Sequence, residues 1–161
     1  MVTLKPITIL DDNMRECIDL EVTEEQQNYV AHNAESLGEA YALNKKDGVN
    51  KAAAYSIHHD GEMVGFIMYG YFEAEFDDDY PENHYYFWRF MLDVKHQNKG
   101  YGRQAMGLLL DEIKQKPYGH AEYAYTSYEP KNVVAKKLYE SFGFIETGKI
   151  AGGELVSRLK I

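Results

Sequence analysis

The stretch from His84 to Ile113 constrains this chain more than any other. It opens with the aromatic and aliphatic run HYYFWRFMLDV, turns through QNKGYG, and continues as RQAMGLLLDEIKQK, where Ala105, Leu108, Leu109 and Ile113 recur at helical spacing. A strand, a glycine-rich turn and a helix therefore follow one another. Such a junction leaves the first N–H groups of the helix without an intrahelical acceptor, at the end where the macrodipole favours negative charge. Gly100 and Gly102 let the main chain come close to a phosphate, and Lys99 and Arg103 add positive charge at the rim. Taken alone, these residues are equally consistent with an anion site and with a plain turn that starts a helix. Neither familiar nucleotide loop fits. The G-x-x-x-x-G-K-[ST] run is absent, and Ala105 stands where G-x-G-x-x-G requires its last glycine.

The rest of the chain alternates strand and helix signals. VTLKPITI reads as a first strand, and Asp11, Asp12 and Asn13 as caps for a helix from about Met14 to Leu20. Thr23 with Gln26 forms a capping box that opens a second helical stretch, TEEQQNYVA, and ESLGEAYALNKK reads as a third, ended by Gly48. AAAYSIHH and MVGFIMYGYF are strands joined through Asp60-Gly61-Glu62, a strong hairpin signal. The acidic EAEFDDDYPEN, with Pro81, is a loop before the fourth strand. Beyond the glycine turn and its helix come a fifth strand, AEYAYTSY, a helix from about Asn132 to Ser141, and two short strands around FIETG and ELVSRLK. The class is α/β, and 161 residues are the length of one domain, 1–161.

Composition removes several functions. A net charge of −9 with no readable basic face argues against a nucleic-acid partner. No apolar stretch approaches the ~20 residues of a membrane span, and MVTLKPITIL lacks the features of a secretory signal, so a cytoplasmic protein with no membrane partner is expected. Cys17 is the only cysteine and its helical spacing marks it as a buried, inert thiol. His58 and His59 have no third ligand at metal spacing, so no metal is expected; His96 reads as exposed and incidental, and Arg89 as a structural ion-pair partner.

A second segment bears on the glycine turn. NVVAKKLYESFGF carries Asn132, Ala135, Leu138, Tyr139, Gly143 and Phe144, follows a strand, and lies some thirty residues downstream of Gln97-Asn98-Lys99-Gly100-Tyr101-Gly102. Together the two resemble the GCN5-related N-acetyltransferase (GNAT) family: the first looks like its Q/R-x-x-G-x-G/A pyrophosphate motif, the second like its N-x-x-A-x-x-L-Y-x-x-x-G-F segment. The order of elements from Val2 to Lys160 is similar too. Within the family, VTEEQQNYVAHNAESLGEAY and the pair WRFMLD with QNKGYG look most like bacterial spermine/spermidine acetyltransferases.

The resemblance implies a mixed, mostly antiparallel central sheet of six to seven strands, splayed between the fourth and fifth and flanked by about four helices. It implies acetyl-CoA as co-substrate. Phe90, Met91 and Leu92 would pair their main chain with the pantetheine arm, as an added strand does. Gln97, Asn98, Lys99, Gly100, Tyr101, Gly102 and Arg103 would wrap the pyrophosphate, and Asn132 would bond near the thioester. Tyr139 matches the family's general acid, which protonates the departing thiolate; its competing reading is a packed aromatic, one of 14 tyrosines. The acceptor amine must lose a proton before it attacks. Glu21, Glu24, Glu73 and Glu75 are candidates for that role and for substrate binding, each alternatively a solvated surface carboxylate. A homodimer is common in the family, and the aromatic fourth and fifth strands offer an interface.

The expected function is acetyl transfer from acetyl-CoA to a primary amine, with a polyamine such as spermidine or spermine as acceptor. An aminoglycoside or a protein or peptide amine is the alternative acceptor. A catalytically silent acyl-CoA-binding module is the alternative class.

Overall fold

The structure, a computed structural model, describes residues 1–11, 13–46, 48, 50–74 and 80–161, with Lys46 described by its backbone alone. Seven strands form one sheet in the order β1-β2-β3-β4-β5-β7-β6. In chain order these are β1 (Val2–Pro6), β2 (Lys51–His59), β3 (Glu62–Phe72), β4 (His84–Leu92), β5 (Tyr123–Tyr128), β6 (Ile145–Ala151) and β7 (Glu154–Lys160). The helices are α1 (Asn13–Ile18), α2 (Asn33–Lys46), α3 (Tyr101–Lys114) and α4 (Val133–Glu140).

The β2–β3 hairpin turns on Asp60 and Gly61, at φ 51° and 91°. Two positive φ values make the primed turn that suits twisted strands, which is why Asp-Gly marked it in the sequence. β3 is buried from Met63 to Tyr71 because helices cover both faces of the sheet, so it reads as a continuous apolar run. On one face, α3 and α4 pack Met106, Leu109, Ile113 and Tyr139 against Ile67, Tyr69, Tyr85 and Phe87. On the other, Cys17 and Ala40 pack against Phe66, Met68 and Met91. Leu108 does not share the α3 core face as expected but is 40 % exposed, while Met106 and Leu110 are buried. At one turn per 3.6 residues, Ala105, Met106, Leu109, Leu110 and Ile113 form the inward stripe and Leu108 falls beside it.

The expected helix over TEEQQNYVA does not form. Its capping box does: Thr23 N–H donates to Gln26 Oε1 and Gln26 N–H to Thr23 Oγ1. Only a 3₁₀ turn, Gln26–Asn28, follows. Nucleating a helix is unfavourable unless a stripe of buried side chains repays it, and this turn buries none. Gln26 is instead held by a distant partner.

The feature that positions the site is a fork in the sheet. β4 and β5 pair in parallel only at His84↔Tyr123, Tyr85↔Ala124 and Tyr86↔Tyr125. From Phe87 onward β4 keeps β3 on one edge and lacks a strand on the other. A bulge contributes: Met68 pairs with Arg89 and Tyr69 with Phe87, so Trp88 is the extra residue.

Candidate active site

The fork opens into a cleft of about 530 Å³. Phe90, Met91 and Leu92 of β4 line it, as do Gln97, Asn98, Gly100, Gly102 and Arg103 of the following turn, and Asn132 and Tyr139 of the α4 segment. Two segments remote in sequence thus meet, because α3 is the crossover that returns the chain to the parallel β5.

The turn is built for its task by backbone geometry. Gly100 takes φ 79° as the residue preceding α3 and supplies no side-chain cap, and Asn98 also has positive φ, 60°. The first N–H groups of α3 therefore lack both an intrahelical acceptor and a side-chain one. An added Cβ at Gly100 would meet nothing, so glycine is required there for its dihedral rather than for space. At Gly102 the Cβ would meet the side-chain ends of Leu92 and Phe90 at 3.4 Å, an ordinary van der Waals contact.

The cations expected at the rim are engaged within the protein. Lys99 Nζ donates to the Lys95 carbonyl at 2.8 Å, and its side chain is not in the cleft wall. Arg103 does line the cleft, but its Nη1 donates to Ser141 Oγ at 2.6 Å while the guanidinium lies over the Phe142 ring. Tyr101 turns outward from the cleft and stacks on His59 at 4.2 Å. Lys99 and Tyr101 therefore do not line the cleft.

Tyr139 is 6 % exposed, walled by Phe87 at 5.4 Å, Tyr128 at 5.6 Å and Phe144 at 6.0 Å between ring centres. Burial pushes its phenol well above the ordinary tyrosine range; a hydrogen bond with the Thr126 side chain acts the other way, and the nearby negative charge of Glu154 adds to the rise. Tyr139 is thus held protonated next to a cavity. It is a packed aromatic, as the competing reading had it, and also a residue of the cleft wall. Asn132 caps α4, its Oδ1 accepting from Ala135 N–H at 3.1 Å. That explains the N-x-x-A spacing locally.

Of the carboxylates expected to meet the acceptor, Glu21 lines a second cavity that shares Val22, Val30 and Met91 with the cleft. Glu21 is tied through its main chain to Asp93 and Val94, Glu73 follows β3 with its N–H on Asn50, and neither they nor Glu24 line the cleft. Glu75 falls outside the described residues, as do Asp12 and the Asp77–Asp79 run. The carboxylates that do line the cleft are Glu25, Glu129 and Glu154. Glu154 follows the Gly152-Gly153 turn and starts β7, as the first residue of the strand expected over ELVSRLK. Arg89 also reaches the cleft wall, but its guanidinium is bound to both oxygens of Glu39 at 3.0 and 3.1 Å and to Ser36 Oγ at 2.9 Å. It is an ion-pair partner, as read from the sequence. His96 is not exposed: its side chain is 12 % accessible and lies 3.4 Å from Glu62. The β3 hairpin reaches over the turn after β4 and covers it.

Burial pushes the Cys17 thiol up to about 12, so it is not a nucleophile at neutral pH. Among the described residues no cluster of His, Cys, Asp or Glu is placed to hold a metal ion, and no helix is long and apolar enough to cross a membrane.

An acetyltransferase (GNAT) family model matches residues 13–144, which spans the fork, the turn and α4. The chain belongs to the GNAT family. It is an N-acetyltransferase. A spermine/spermidine N(1)-acetyltransferase of Bacillus subtilis (strain 168) is 28 % identical over 149 residues, covering 92 % of this chain and 91 % of that protein. Among solved structures, a spermidine N-acetyltransferase from Vibrio cholerae in complex with CoA and spermine superposes with a TM-score of 0.66 at 20 % identity, covering 99 % of this chain and 94 % of that one. An aminoglycoside acetyltransferase in complex with coenzyme A superposes at 0.71 with 16 % identity, covering 99 % of this chain and 95 % of that one. These likenesses establish the fold and leave the acceptor to be argued from this cleft.

Proposed function

We propose that this GNAT enzyme transfers acetyl from acetyl-CoA to a primary amine of a small polycation, spermidine or spermine, by direct attack of the amine on the thioester. The observation that carries the reading is that one cleft gathers an unpaired strand edge, the N-terminus of α3 and a protonated tyrosine. The open edge of β4 can take the amide-bearing pantetheine arm as an added strand. The N–H groups of Asn98–Arg103 suit the pyrophosphate. Tyr139, kept neutral by burial, then donates its proton to the thiolate as the C–S bond breaks.

The polycationic acceptor is supported by charge. Glu25, Glu129 and Glu154 line the cleft beside Arg103 and Lys131, Arg89 is paired with Glu39, and the chain as a whole carries −9. A protein of strong net negative charge raises the local concentration of an oppositely charged substrate, and salt screens that attraction over about 8 Å at physiological ionic strength. The Bacillus relative's name points the same way. The same reading takes 1–161 as a single transferase domain.

Release of free CoA thiol across an amine panel, at several salt concentrations, tests this. Spermidine and spermine should give the highest kcat/KM, falling more steeply with salt than that of a monoamine. A preferred aminoglycoside or peptide overturns the acceptor, and silence with every amine overturns catalysis.

A further inference from the structure

Direct transfer requires the acceptor nitrogen to shed a proton before it attacks, and the phenol of Tyr139 cannot accept one while it remains protonated to serve the thiolate. The cleft contains three other carboxylates, and their surroundings differ. Glu25 comes from the loop after α1, and Glu129 follows β5. Glu154 begins β7 where the Ala151↔Glu154 pair closes the β6–β7 hairpin, and Leu155 beside it pairs with Tyr128. That register carries Glu154 to the C-terminal end of β5, where Ser127 Oγ donates to its Oε2. Among the three, only Glu154 makes its charge felt at the Tyr139 hydroxyl.

We propose that Glu154 is a catalytic residue of this enzyme, accepting the proton of the acceptor ammonium inside the cleft, with Ser127 holding the carboxylate in place. The inference rests on the transfer reading above. Protons balance as follows. An ammonium that becomes an amide loses two: one passes from nitrogen to the Glu154 carboxylate and on to water, leaving the lone pair free to attack the thioester carbon. The other leaves nitrogen after the C–N bond has formed and the C–S bond has broken, and replaces the proton that Tyr139 gave to sulfur. A hydroxyl donor on one oxygen leaves the second carboxylate oxygen available to the ammonium, since an ionised carboxylate accepts at both. Besides Tyr139, the other charged or titratable groups lining the cleft are Tyr128, Glu129 and Lys131 at and after β5, Arg89 on β4, Arg103 on α3, and Glu25 and Tyr29. Arg89 is already paired with Glu39 and does not compete for Glu154.

The deciding measurement is the pH profile of kcat for Glu154→Gln, with Glu154→Asp and Glu129→Gln alongside, using the fastest amine of the panel. Acetyl-CoA affinity by calorimetry serves as the check that each variant is folded. Glu154→Gln should lose about 10²- to 10⁴-fold in kcat at pH 7, the usual reach of a general base. The deficit should shrink as pH rises toward the amine's own pKa, because a free amine needs no base. Glu154→Asp should recover part of the rate, and Glu129→Gln should change KM more than kcat. A deficit that is independent of pH, one confined to KM, or wild-type turnover in Glu154→Gln overturns the assignment. If Glu154→Gln fails to bind acetyl-CoA, the comparison is made on Glu154→Ala, where a wild-type rate or a deficit independent of pH would overturn it equally. A panel that rejects polyamines removes the acceptor reading and leaves this test intact.

Discussion

The side-chain amides of Gln26 and Gln97 face each other as a reciprocal pair: Gln97 Nε2 donates to Gln26 Oε1 at 2.7 Å, and Gln26 Nε2 donates to Gln97 Oε1 at 3.3 Å. The same Gln97 amide reaches the Leu92 carbonyl at 3.1 Å. One side chain thus joins the end of β4, the turn before α3 and the 3₁₀ segment on the opposite wall of the cleft.

Breaking that junction has a calculable cost. Gln97→Ala leaves the Leu92 carbonyl and the Gln26 amide short of a partner, which typically costs about 1–3 kcal/mol. Gln26→Ala should cost less, because the Leu92 bond survives. Urea denaturation of both single variants and the double should give a coupling of at least about 0.5 kcal/mol. Strict additivity would show the pair to be incidental.

Gly100→Glu and Gly102→Glu should abolish acetyl-CoA binding in calorimetry while circular dichroism shows a folded chain, since each brings a carboxylate to the α3 N-terminus where an anion is to sit. Gly100→Ala should lose about 1–2 kcal/mol of stability through its φ of 79° alone. Undiminished affinity in both Glu variants would remove the anion site.

Tyr139→Phe keeps the ring and its contacts with Phe87, Tyr128 and Phe144. Turnover should fall by about 10²- to 10⁴-fold, with acetyl-CoA affinity retained. Unlike the Glu154→Gln deficit, this one should not disappear as the amine deprotonates. Wild-type turnover would mean that water or another group protonates the thiolate.

Alkali should expose the fold's dependence on neutral phenols. Burial raises Tyr55, Tyr69, Tyr85, Tyr118, Tyr125, Tyr128 and Tyr139, and for Tyr55 and Tyr69 a shared hydrogen bond to Glu112 Oε1, at 2.5 and 2.6 Å, adds to the effect. A phenol raised in the folded state contributes stability that is complete below the unfolded value of about 10 and is lost as pH climbs through the folded value. Absorbance titration of phenolate should therefore lag in the native protein relative to the urea-unfolded chain, with late ionisation coinciding with unfolding. Superimposable titrations would contradict this.

Much of the fold was legible in advance because it rests on local chemistry. Asp60-Gly61 announces its turn because only certain residues tolerate two successive positive φ values, and Gly100 announces the start of α3 for a related reason. The TEEQQNYVA stretch misled because a capping box is local, whereas propagation of a helix depends on what its face is packed against. Leu108 misled because hydrophobic spacing defines a stripe without fixing its exact edge.

Local chemistry sets the order of strands and helices and carries the two segments that resemble family motifs, since backbone dihedrals, caps and periodicity act between neighbours along the chain. Only the tertiary structure decided which carboxylates share a cleft with Tyr139. Glu21, Glu24 and Glu73 stand outside it, while Glu129 and Glu154, 25 positions apart, are brought to one wall by the register of β5 with β7. It also decided that Arg89 is neutralised by Glu39 and that Gln26 meets Gln97, 71 residues away. Through-space charge and hydrogen bonding depend on distance alone, and in a sheet that distance is fixed by pairing between strands remote in sequence.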